Sequence, residues 1–354
     1  MHLVSQKPLY DDKWLPVGGL ADLPPLLMII VDTEEEFDWG VPFDRKNTGV
    51  NSMGSQYQVH EIYARYGIRP TYVMDYPVAS QVNGYMPLRD LLAKDQCLIG
   101  AHLHPWVNPP HEEEVNDRNS YPGNLPPDLE RRKLEILTAT ITENFGTRPV
   151  IYKAGRYGLG PETFRTLTNM GYQTDLSPVP YCNYSEKHGP DFSNIRPHPY
   201  WIEAPGGVLS IPVTRGFFGP LSAFGASIDR LLDKPLPKTL MMRGIMSRAR
   251  LLECSTLTPE GVPVAEYTRL VEAMIMRGHR IFCLTYHSPS LEPGHTPYVR
   301  TAQDLTLFKN SIEAFLETFM NRFGGQPTDP LSLRKLLLER ANSPARDPAS
   351  PGPD

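Results

Sequence analysis

The sequence predicts an α/β protein built on a parallel sheet or barrel, and three observations carry that expectation. Short apolar runs without polar alternation, at residues 26–31 and 280–286 above all, have the length of strands buried on both faces. Amphipathic stretches separate them, giving a strand–helix–strand rhythm. Ionisable residues gather where the runs stop, and parallel β/α architectures place their pockets there.

In chain order, residues 1–24 are polar and proline-punctuated and read as an N-terminal arm. The run Leu-Leu-Met-Ile-Ile-Val at 26–31 is the first strand and ends in Asp32-Thr-Glu34-Glu35-Glu36. Asp32 and Glu34 are two apart and share a face while the chain stays extended, whereas Glu35 points the other way. A helix over 60–66 leads through Gly67 to a strand at 69–74. A helix ending at 88–94 leads to a strand at 96–102, whose sequence Leu98-Ile-Gly-Ala-His102-Leu-His104-Pro puts two imidazoles on one face. Pro127 opens a long amphipathic helix with Leu134, Leu137 and Ile141 on one side, closed by Gly146.

A brief strand then enters Lys153-Ala-Gly155-Arg156-Tyr-Gly158-Leu-Gly160, with a helix starting at Pro161. The glycine spacing fits neither the dinucleotide fingerprint nor a phosphate loop. It suits backbone approaching a site beneath two cations. Asp175 stands near the next strand end. Residues 179–205 form a long connection rich in Pro, Tyr and His, of a kind that carries binding surface. A strand at 208–213 follows, then helical insertions over 221–258. A helix over 264–277 precedes the last strand, which drops His287 at its C-terminal end. Helices at 301–323 and 331–341 and a disordered tail complete the chain, so the expected domain is 25–330, with 331–354 as C-terminal helix and tail.

The 354 residues suffice for a full core, and a formal net charge of −5 without a Lys/Arg cluster argues against nucleic-acid binding. The N-terminus lacks the apolar stretch of a secretory signal, and no run is long enough to span a bilayer. Four scattered cysteines fit a reducing cytoplasm.

Asp32, Glu34, His102, His104, Lys153 or Arg156, Asp175 and His287 thus converge at strand ends. Two histidines and one carboxylate suit a divalent metal, most of all zinc, and leave a coordination position open for water. A second carboxylate can take that water's proton and a separate histidine can protonate a leaving group, which is metal-assisted hydrolysis.

The motifs Val31-Asp-Thr-Glu-Glu-Glu-Phe-Asp-Trp39, Gly100-Ala-His-Leu-His-Pro-Trp106, Tyr152-Lys-Ala-Gly-Arg-Tyr-Gly158 and Thr285-Tyr-His-Ser-Pro-Ser-Leu-Glu-Pro-Gly294 occur in the order found in one family. Across roughly residues 25–300 the chain resembles the NodB-homology polysaccharide deacetylases, particularly their WalW-like branch. The resemblance implies a distorted (β/α) barrel of about seven strands that hydrolyses an N- or O-acetyl group on a sugar. It implies Asp32 as general base, His287 as general acid, and Glu34, or else Glu35, with His102 as metal ligands. His104, or else His111 from its loop, stands as second histidine, because Trp106 occupies the family's usual position. Lys153, with Arg156 as alternative, stands for the family's arginine against the base, and Asp175 for the acid that orients the catalytic histidine. The implied cofactor is Zn2+, with Co2+ or Ni2+ as alternatives. The implied partner is an acetylated sugar, sugar nucleotide or lipid-linked saccharide. A carbohydrate-binding or scaffold protein on the same barrel, without the chemistry, is the competing expectation.

Overall fold

The computed structural model describes residues 13–232 and 241–342. The first twelve residues of the expected arm, the middle of the expected insertion and the expected tail lie outside the described residues. The strands are β1 (Trp14–Pro16), β2 (Leu26–Thr33), β3 (Thr71–Met74), β4 (Leu98–Leu103), β5 (Ile151–Ala154), β6 (Thr174–Asp175), β7 (Tyr200–Ile202), β8 (Leu209–Ser210), β9 (Arg215–Phe218), β10 (Glu253–Thr256), β11 (Ile281–His287) and β12 (Gln326–Pro327). The central sheet runs β1-β7-β8-β6-β5-β4-β3-β2-β11, with β12 also paired to β2. Seven consecutive strands, β8 to β11 in that order, are parallel, and β1 and β7 add an antiparallel edge.

Among the described residues no ladder closes β11 onto β8. The gap is bridged instead by the chain between them: Cys283 N donates to Thr214 Oγ1 (2.8 Å), Leu257 N to Thr214 O (2.8 Å) and Thr285 N to Leu257 O (3.2 Å). This makes the barrel a distorted one.

Alternation along β2 sorts the core. Leu27, Ile29 and Val31 join the larger apolar cluster under the helices, whereas Leu26, Met28 and Ile30 join a smaller inner one. Val73, Leu98, Ile151, Leu209, Ile281 and Cys283 share that inner cluster. Leu333 and Leu337 of the helix Pro330–Asn342 complete it, so the C-terminal helix is part of the barrel's packing rather than an appendage.

The helices follow the sequence closely. Pro127–Phe145 begins at its proline and ends where Gly146 turns left-handed at φ 68°. Thr301 caps Ala302–Glu317 through a capping box with Asp304, and one wider turn, Thr318–Arg322, extends it. Three expectations change. Part of the arm becomes edge strand β1, with Trp14 buried. The 179–205 connection contains β7. The insertion holds helices Gly225–Leu232 and Met242–Arg248, but its far end is β10, paired antiparallel with β9.

Candidate metal-dependent active site

The alternation that sends Leu26, Met28 and Ile30 inward also sends Asp32 inward, one step beyond the apolar core at the strand's C-terminal end. The same parity carries Leu98 to His102, Ile151 to Lys153, and Ile281 through Thr285 to His287. Register then fixes their neighbours, for His287 pairs with Asp32 and His102 with Lys153. The site is therefore a polar layer laid on the inner apolar core.

Lys153 Nζ donates to both carboxylate oxygens of Asp32 at 2.6 Å and to Thr285 Oγ1 at 3.2 Å. Burial opposes the charge of Asp32, yet Lys153, with His102 and His287, outweighs it and holds the carboxyl below its usual range. Asp32 is a buried, ionised carboxylate.

Glu34, His102 and His104 bring one ligand atom each to within 4.8 Å of one another. Glu34 Oε2 lies 3.5 Å from His104 Nε2 and 3.9 Å from His102 Nε2. Both histidines bond elsewhere through Nδ1, His102 to Lys153 O (3.0 Å) and His104 to Glu35 Oε2 (2.8 Å). Each Nε2 is thereby turned toward Glu34 with its lone pair available. Burial drives His104 down to about 4 and His102 well below the ordinary histidine value, so both are neutral, as ligation requires. Burial also lifts Glu34 to about 8, and its Oε1 is buried with no hydrogen-bond partner. A buried carboxylate beside two neutral imidazoles, with no Lys or Arg partner of its own among the described residues, is a donor set suited to a divalent cation. The residues fit the metal.

His287 sits opposite, with Nε2 3.8 Å from Asp32 Oδ2. Glu260 accepts from its Nδ1 at 2.7 Å and from its backbone N–H at 3.0 Å. Burial alone would discharge the imidazole, but Glu260, followed by Glu34 and Asp32, raises it to about 10. Trp39 packs edge-on against it with ring centroids 4.7 Å apart. The resulting cavity, about 240 Å³, is walled by Phe37, Trp39, Phe43, Trp106 and Tyr157.

The structure separates the alternatives left by the sequence. Lys153, not Arg156, meets Asp32. Arg156 and Tyr157 take left-handed φ of 53° and 60°, which turns the chain after β5. Arg156 then stacks on Tyr121 (4.2 Å) and Phe43 (4.9 Å) at the cavity wall. Gly155 is needed at this turn, since a Cβ there would strike Leu103 O and come within 2.6 Å of His104 Cδ2. Glu34, not Glu35, faces the two Nε2 atoms, and His111 is exposed and outside the cluster.

Asp175 does not touch His287. Its register with Tyr152 and Ser210 puts it on the outer face, where Ser177 and Ser210 donate to it. Glu260 takes the expected orienting place. Glu35 departs from its expected direction too, because the chain leaves β2 after Thr33. It accepts from His104 Nδ1 and from Trp106 Nε1 (2.7 Å), and its own backbone N–H donates to Asp75 (2.6 Å). Glu260 and Asp75 carry no periodic signal in the sequence. For Glu35, adjacency to Glu34 was the one available hint.

No family model matches the sequence, and no curated protein matches it. Solved structures do. A candidate polysaccharide deacetylase from Mycobacterium smegmatis is 14% identical, with a TM-score of 0.52 over 96% of this chain and 98% of that one. A 4-alpha-glucanotransferase from Thermococcus litoralis gives 11% and 0.48 over 90% of this chain and 40% of its own. A peptidoglycan deacetylase from Bacillus subtilis gives 9% and 0.40 over 90% and 94%. At such identities the likeness is one of architecture: this chain has the α/β fold on a mostly parallel central sheet seen in the mycobacterial protein.

Proposed function

We propose that the protein is a metal-dependent hydrolase that removes an acetyl group from an amide or ester on a saccharide. One observation carries the reading: Asp32 and His287, 3.8 Å apart, line one cavity together with the Glu34–His102–His104 cluster. Those three residues would hold the cation, zinc foremost with cobalt or nickel as alternatives. When bound, it would polarise an acyl carbonyl and acidify water.

The chain's own groups supply the proton traffic. Asp32, kept ionised by Lys153, accepts the proton of the attacking water. His287 gives its Nε2 proton to the departing nitrogen or oxygen, so that acetate and an amine or alcohol leave. Glu260 holds Nδ1 and with it the ring's tautomer and charge. Trp39, Phe37 and Phe43 exclude bulk water and offer faces on which a sugar ring can stack. Within this reading the protein is a NodB-homology deacetylase of the WalW-like type. It acts in the cytoplasm on a sugar-nucleotide or lipid-linked precursor of surface polysaccharide.

The test is acetate release from a panel of acetylated saccharides by zinc-loaded protein, beside a chelator control and His287→Ala. Release abolished by chelation and by the substitution supports the reading. No release from any substrate by protein that binds zinc would replace it with a carbohydrate-binding role on the same barrel.

A further inference from the structure

The cavity over the Glu34–His102–His104 cluster contains one charge that the proposed chemistry does not use. The other charged groups there have counterparts. Asp32 accepts from Lys153, His287 bonds to Glu260, and Glu34 faces the two imidazoles. Arg156 also lines this cavity, and among the described residues no carboxylate forms an ion pair with it. Asp117, the acid that steadies its charge, meets it through a backbone carbonyl, 3.3 Å from Nη1. Ser120 Oγ accepts from the same nitrogen.

Both hydrogen bonds thus fall on Nη1, and among the described residues Nε and Nη2 have no acceptor. Those two nitrogens form one edge of the planar guanidinium, the edge that grips two oxygens at once. Arg156 is half-buried, and burial works against its charge and pulls the guanidinium below its ordinary value. A partly desolvated cation without a counter-ion is unfavourable unless something entering the cavity supplies the anion.

The surrounding structure holds the group in place rather than letting it swing into bulk water. Its backbone sits at a left-handed φ of 53°, a conformation an arginine adopts only where its surroundings impose it. The rings of Tyr121 (4.2 Å) and Phe43 (4.9 Å) pack against the guanidinium, and Phe43 is itself part of the cavity wall. The charge also reaches the ligand cluster. Burial chiefly keeps His104 neutral, and Arg156 is among the charges that add to that effect.

We propose that Arg156 is a specificity-determining residue that receives an anionic group of the substrate, so that the ligand is an acidic acetylated saccharide rather than a neutral one. The inference rests on reading this cavity as a saccharide site and names the substrate class within that reading. A free guanidinium edge suits the paired oxygens of a carboxylate or a phosphate, and a sugar can carry either. Phe37 and Trp39 would face the ring while Arg156 takes its acidic substituent.

The test is titration calorimetry of the zinc-loaded full chain carrying His287→Ala, which lacks the proposed proton donor and so binds without turnover. The probes are N-acetylglucosamine, its 1-phosphate and N-acetylmuramic acid, which present no acid, a phosphate and a carboxylate on one ring. At least one acidic sugar should bind about ten- to a hundredfold more tightly than the neutral one, and which of them does so identifies the anion. Adding Arg156→Gln should shrink that preference to within about threefold without weakening the neutral sugar. Arg156→Lys, which keeps the charge and loses the fork, should retain part of it. Glutamine and lysine meet the left-handed backbone on the same terms as arginine, and an unchanged melting temperature checks that both variants fold. Equal affinity for all three probes, or binding of none, overturns the proposal. So does a preference that survives Arg156→Gln, as an anion held by the metal would give. Acetate release plays no part in this measurement. An acidic preference lost with Arg156 would stand even if the acetate panel failed, and its absence would leave hydrolysis of neutral sugars untouched.

Discussion

Replacing Glu260 by glutamine removes one negative charge from His287 while preserving the shape of the site. The amide oxygen can still accept from the His287 backbone N–H, which now lies 3.0 Å from Glu260 Oε1. What is lost is the foremost influence that raises the imidazole against its burial, so its pKa should fall from about 10 toward the ordinary value. The sign follows from the proposed role: as general acid His287 works while protonated, so the alkaline limb of the wild-type profile should lie well above the ordinary histidine value and move down on substitution. With a pKa of about 6.5, only about 3% of the imidazole is protonated at pH 8, and about three quarters at pH 6. The expected kcat/KM of Glu260→Gln is therefore about thirtyfold lower at pH 8 and within about twofold of wild type at pH 6. The assay is a pH profile of acetate release from zinc-loaded protein. An equal loss at every pH, or an unmoved alkaline limb, would refute the reasoning and leave Glu260 a merely structural contact.

Three further outcomes follow from the same geometry. Lys153→Met strands the buried charge of Asp32, which should lower unfolding stability in urea by about 3–5 kcal/mol; an unchanged denaturation midpoint would contradict the buried pairing. Zinc binding should release about one proton per ion at pH 6, because Glu34 with a pKa of about 8 is then protonated and must ionise to ligate, and distinctly less at pH 9. Calorimetry in buffers of differing ionisation enthalpy reads this directly, and a pH-independent release would exclude Glu34 as the ligand. Gly155→Ala should push on the His104 ring and on β4, costing about 1–3 kcal/mol of stability and weakening zinc binding; normal zinc affinity would argue that the contact gives way easily.

The residues that sequence alone could place are those whose position depends on strand parity. Asp32, His102, Lys153 and His287 each continue the inward alternation of an apolar run, so the pattern that identifies the strand also orients the side chain. His104 follows by the same step of two. Parity fails where the chain ceases to be a strand. Strand parity points Glu35 outward, but the chain turns there, and Glu36 pairs with Gly49 instead. Arg156 is carried away from Asp32 by a left-handed turn that no spacing rule encodes. Asp175 needed register, and β6 is only two residues long, too short for its pairing to be read from its own sequence. Glu260 lies 27 residues before its partner on a separate turn, so only folding brings the two together.

The pairing of His287 with Asp32 across neighbouring parallel strands has a consequence for how such a protein can change. The separation of the two strand positions is set by the spacing of the sheet lattice, about 4.8 Å, while the turn that carries Glu260 orients the imidazole. Loops other than the turn that carries Glu260 can be lengthened or shortened, altering which molecule enters, while Asp32 and His287 stay side by side. A single residue deleted within β2 or β11 would do the opposite, turning one partner to the far side of the sheet and silencing the chemistry at a stroke. Under the proposed function, the substrate is thus the adjustable part of this architecture, and the Asp32–His287 pairing the fixed one.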